Sequence, residues 1–116
     1  TSLQKFADIL QYAKEEKSNV YIFVLPVAPS FFNNFERSHR FKNIMETLPN
    51  TLAKLEKSGL VKAQCFALDP AFANCQMEEF GDGIHPYDSC ISKVLQTCSK
   101  NSNELRNLLE PILNQN

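Results

Sequence analysis

The chain has 116 residues, of which 43% are hydrophobic and 22% charged, and Lys+Arg 12 nearly balances Asp+Glu 13 for a formal net charge of -1. That length and apolar content suit one ordinary globular domain with a single core. The charge balance supplies neither a basic stripe to gather phosphates nor an acidic tail, which argues against nucleic acid as a partner. The longest apolar run, residues 20–28, falls far short of the roughly twenty residues needed to span a bilayer and is interrupted by Pro26.

Leu3, Phe6, Ala7, Leu10 and Ala13 fall at helical spacing behind Ser2, a suitable N-cap, so the first element reads as an amphipathic helix ending in the polar stretch 14–19. Thr1 stands inside that pattern with no leader before it, as expected of a processed or excised piece. The run Val20-Tyr21-Ile22-Phe23-Val24-Leu25 then reads as a strand covered on both faces of a parallel sheet, closed off by Pro26 and Pro29. Residues 27–35 read as a loop leaving the carboxyl end of that strand, the edge where open α/β sheets hold ligands.

Phe41, Ile44, Met45, Leu48, Leu52 and Leu55 form one stripe over residues 37–57, from Arg37 to Lys57, so a long helix is expected, with Gly59 just past its end and a kink or split at Pro49. Residues 61–68 alternate in the manner of a second strand. A loop of about eighteen residues, 69–86, follows, and loops of that length in compact domains are functional or disordered. Ile91, Val94, Leu95 and Cys98 then mark a helix starting at Tyr87 or Asp88, with Asp88 or Ser89 as its cap. A last helix from about Ser102 would bury Leu105, Leu108, Leu109 and Ile112. The expected fold class is α/β: a single three-layer domain, 1–116, with a parallel sheet and flanking helices.

Cys65, Cys75, Cys90 and Cys98 include no CxxC pair, which argues against dithiol redox chemistry. Cys90 and Cys98 stand about two turns apart on one helix, roughly 12 Å, too far to bridge each other. Two disulfides running from Cys65 and Cys75 to that helix, in an oxidising compartment, and four buried thiols both remain open. A zinc site built from Cys75, His85 and Cys90 fits no standard ligand spacing, so no metal and no cofactor is expected.

The long loop carries the most informative chemistry. Asp82-Gly83-Ile84-His85 places a carboxylate three residues before an imidazole, close enough to hold one ring nitrogen while the other takes a proton from a hydroxyl nucleophile. Asp82 and His85 are the candidate catalytic pair, and a loop histidine merely capped by its neighbour is the plainer alternative. Ser30 is a weak candidate nucleophile in a turn-like setting. Phe31, Phe32 and Phe35 line a pocket or simply cover the sheet edge. His39 reads as a solvated helix face, Glu78 and Glu79 as wet carboxylates, and Tyr87 as a neighbour of the imidazole or of substrate.

Strand, loop, D-x-x-H and helix in that order resemble the last block of an SGNH (GDSL-type) hydrolase domain. The likeness is greatest to the extracytoplasmic acyl-transfer branch that includes the D-alanine-transfer and alginate-acetylation proteins. Residues 20–29, a buried strand running into a proline-containing loop, resemble the family's penultimate βα unit, so the likeness covers roughly 20–98. It implies a flavodoxin-like half-domain forming the C-terminal portion of a larger one. It further implies serine-dependent ester hydrolysis or O-acyl transfer on a cell-envelope polymer or small ester, with His85 as general base and acid and Asp82 as its orienting group. The family's Gly-Asp-Ser turn and its Gly and Asn oxyanion blocks are not in these 116 residues. A thin sheet with an open edge predicts either a missing N-terminal half or a homodimer. The competing class is a non-catalytic interaction module using that edge or the Phe31-Phe32 loop.

Overall fold

The computed structural model describes residues 1–35, 38–82 and 84–115, the side chains of Leu3 and Phe35 excepted. Helix α1 (Ser2–Glu15) leads to strand β1 (Tyr21–Val24), helices α2 (Pro29–Phe35) and α3 (His39–Lys57), strand β2 (Ala63–Phe66), and helices α4 (Asp88–Asn101) and α5 (Asn103–Leu113). The fold is 63% helical, and its sheet is a single parallel pair in the register Tyr21↔Ala63 to Val24↔Phe66. The expected three-layer α/β sandwich is therefore incorrect. A continuous apolar run implied a strand buried on both faces, but every residue of β1 is only half-buried.

Local chemistry sets most boundaries. Thr1, not Ser2, caps α1, its hydroxyl accepting from the Gln4 amide at 3.1 Å. Ser38 caps α3 through the Phe41 amide, and Ser102 caps α5 through the Leu105 amide. The expected start at Arg37 lies outside the described residues. Helix α3 continues through Pro49 without splitting. Past its end Gly59 adopts φ +85°, a left-handed conformation that glycine reaches without a Cβ clash. Residues 27–35, expected as a loop, contain α2, with Pro29 at its first position, where a missing N–H costs nothing. Asp88 and Ser89 do not cap α4; Tyr87 occupies that position without a side-chain bond.

The core lies on one face of the strand pair. Ala63 and Cys65 of β2 point into it beside Cys90, Val94 and Cys98 of α4 and Leu105 and Leu109 of α5. Two disulfides, Cys65–Cys98 and Cys75–Cys90, tie β2 and the long loop to points about two turns apart on α4. This excludes the free-thiol alternative and matches chains that fold in oxidising compartments. Elsewhere the packing is thin: among the described side chains Leu10 is the buried one of α1 and Leu52 that of α3. Phe6, Ile9 and Tyr12 remain exposed, and so does Ile112 of α5, which was expected in the core. No helix among the described residues is long and apolar enough to cross a membrane.

Candidate functional site

Parallel pairing sends both strand ends to one rim, and residues 67–87 leave from there. Among its described residues this segment has no strand ladder of its own, so its backbone groups are met by turns and side chains, and a disulfide anchors it covalently. Asp69 accepts from the Ala71 amide at 2.9 Å and starts a short 3-10 turn, Pro70–Phe72. Asn74 takes the left-handed φ of 55° that asparagine tolerates, and Cys75 then locks the chain to Cys90 in the first turn of α4.

The second half of the loop is braced by charge. Glu79 Oε1 accepts from the Gln76 amide at 3.0 Å and from Lys93 Nζ at 2.6 Å, while the same ammonium donates to the Asn74 carbonyl at 3.2 Å. The Lys93 hydrogen bond, helped by the Gln76 amide, pulls the Glu79 carboxyl down to about 2. Glu79 is thus not a wet surface carboxylate but a nearly covered strut, its side chain 13% exposed. Glu78 stays exposed.

Above this brace the chain makes a tight excursion. Phe80 is buried in the core, pairs antiparallel with Pro86, and is flanked by bonds from the Gly81 amide to the His85 carbonyl and from the Tyr87 amide to the Glu79 carbonyl. Asp82 closes the tip: Oδ1 accepts from the backbone amides of Ile84 and His85 at 2.9 and 2.6 Å, and Oδ2 meets His85 Nδ1 at 2.5 Å. The His85 backbone N–H first, then its imidazole and the Ile84 N–H, hold the Asp82 carboxyl well below the usual carboxylate range. A carboxylate at Nδ1 requires a proton there, so in the neutral ring Nε2 carries the lone pair. The arrangement can accept a proton at Nε2 and stabilise the resulting imidazolium.

The pair stands on open surface, not in a cleft, with the His85 side chain 80% exposed and Asp82 55%. Gly83 lies outside the described residues. The Tyr87 ring does not cover the imidazole; it sits over Gly81, where an added Cβ would come within 2.4–2.6 Å of it. Ser30 is exposed in the first turn of α2 and makes no hydrogen bond to His85. Phe32 packs edge-on against Phe41 at 5.4 Å and separates two shallow clefts of about 320 and 350 Å³ that share Asp69. Phe31 packs on the core, and the Phe35 side chain lies outside the described residues. His39 lies exposed in the first turn of α3. No group of three or more metal-ligating side chains occurs among the described residues.

Sequence reasoning missed the Lys93 strut. Its one local signal is Gln76-x-x-Glu79, a spacing that favours a capping exchange; the lysine arrives from fourteen residues away. No protein-family model, no curated protein and no solved structure matches the chain.

Proposed function

We propose that the chain carries the histidine and aspartate of a serine-dependent ester hydrolase or O-acyltransferase acting on an acylated cell-envelope polymer or a small ester, in a periplasmic, secreted or surface setting. The observation that supports this most is the Asp82–His85 contact at 2.5 Å with Nε2 turned to solvent. In the proposed step His85 Nε2 removes the hydroxyl proton as the nucleophile's oxygen bonds to the ester carbonyl carbon. The imidazolium, held by Asp82, then returns that proton to the departing alkoxide, leaving an acyl-enzyme. Water or an acceptor hydroxyl repeats the exchange and regenerates the serine.

The nucleophile and the oxyanion donors come from another polypeptide segment seated over the exposed ring. Covering the pair would also strengthen its electrostatics, since charges interact far more weakly beside bulk water than in a water-excluded site. A fluorophosphonate probe applied to the longest native form tests the proposal: labelling that disappears in His85→Ala is expected, and absence of labelling in the unaltered protein contradicts it.

A second reading, a non-catalytic interaction module, draws support from a different feature: Ile9 and Tyr12 are 62% and 64% exposed on α1. Under that reading Asp82 shapes the loop tip and His85→Ala leaves every binding property unchanged.

A further inference from the structure

We infer that β1 is a pairing edge for a second copy of this chain. The Val20 and Val24 carbonyls accept from the Lys62 and Ala67 amides, so residues 20, 22 and 24 turn their peptide groups toward β2. Because a strand's peptide groups alternate sides, the N–H and C=O groups of Tyr21 and Phe23 point the opposite way, onto an edge with no neighbouring strand among the described residues. Edge strands of monomers are guarded by charge, proline, a bulge, a covering element or their own shortness; the four-residue Tyr-Ile-Phe-Val carries no charge, proline or bulge. The other edge is less suited: β2 presents polar Gln64, its Ala63 and Cys65 are buried, and Cys65 is bonded to α4.

Area points the same way. A compact monomer of 13.2 kDa exposes about 6,400 Å², whereas this chain exposes 7930 Å². The surplus of about 1,500 Å² exceeds the roughly 800 Å² that each partner contributes to a standard interface. Its radius of gyration, 15.2 Å, likewise exceeds the roughly 13.4 Å of a compact chain this long.

A two-fold axis through Ile22 satisfies every free group at once. Tyr21 of each copy exchanges two hydrogen bonds with Phe23 of the other, and the two Ile22 side chains stand directly opposite each other. The product is a four-stranded sheet, β2-β1-β1-β2, with α4 and α5 of both copies on one face. The pairing does not depend on the acyl-transfer proposal, because the dyads end on opposite rims.

Sedimentation velocity across the micromolar range tests the inference. A dimer of twice the 13.2 kDa chain mass is expected. Ile22→Lys, which sets two ammonium groups face to face, should return it to monomer with its circular dichroism unchanged. Should that variant unfold, Ile22→Cys provides the second reading, because directly opposed residues place their Cβ atoms close enough for an interchain disulfide to form on oxidation. A monomer throughout, which would leave the edge to a different polypeptide, overturns the inference. So does a dimer that survives Ile22→Lys and fails to crosslink through Ile22→Cys.

Discussion

Replacing Cys75 and Cys90 together by alanine removes the covalent tie between the dyad loop and α4. The bridge closes a segment with a sequence separation of 15, and the chain-entropy relation assigns such a closure about 3 kcal/mol. Both positions are buried, so the alanines add a small packing loss in the same direction. With an unfolding entropy of about 2.1 cal/mol/K per residue, 3 kcal/mol corresponds to a fall of roughly 12 °C in Tm for a chain this long. The matched pair Cys65→Ala and Cys98→Ala opens a separation of 33, for which the same relation gives about 3.7 kcal/mol. Urea unfolding of both double variants beside the parent, followed by circular dichroism, measures these losses. Losses below about 1 kcal/mol, or a Cys75/Cys90 loss well above that of Cys65/Cys98, would refute the view that the bridges act mainly on the unfolded chain.

Acid should loosen the loop before the core. Glu79 and Asp82 both have carboxyls lowered on folding, so their contribution is complete above the ordinary carboxylate range and is lost as pH falls below it, through about 2 for Glu79 and lower still for Asp82; amide exchange of residues 76–87 on acidification, ahead of α4, is the check. Lys93→Met removes both the Glu79 and the Asn74 contacts, so limited proteolysis should cut the loop faster while α5 keeps its protection. Leu105→Ala, at a fully buried site on α5, should cost about 2–5 kcal/mol in equilibrium unfolding, and a loss under 1 kcal/mol would contradict the placement of the core.

The legible parts of this fold are those decided within a few residues. Helical spacing located α1, α3, α4 and α5, and period-two alternation located β2, whose pattern of buried Ala63 and Cys65 against half-buried Gln64 and Phe66 matches the reading. The turn length between Cys90 and Cys98 excluded their mutual pairing, and the structure joins each to a partner outside α4. Helix α2 was hidden because Pro29, Ser30, Asn33 and Asn34 carry turn propensity, which the Phe31 contact with the core overrides. The layer count failed for a different reason. Apolar content reports what a strand can bury, not what lies beside it, and β1 has apolar residues without enough neighbours.

At the candidate site the same division holds. The Asp82–His85 contact was readable because three residues separate the groups and the carboxylate also accepts their backbone amides. That the ring is proud of the surface was not readable, since exposure depends on Phe80, Pro86 and Tyr87 folding the tip back over Glu79 and Gly81.

The nitrogen-15 shifts of the His85 imidazole in alkaline solution, where the ring is neutral, bear most directly on whether Asp82 prepares Nε2 as a base. A protonated Nδ1 and a bare Nε2, reverting in Asp82→Asn, is the predicted result. A proton on Nε2 in the unaltered chain would contradict it.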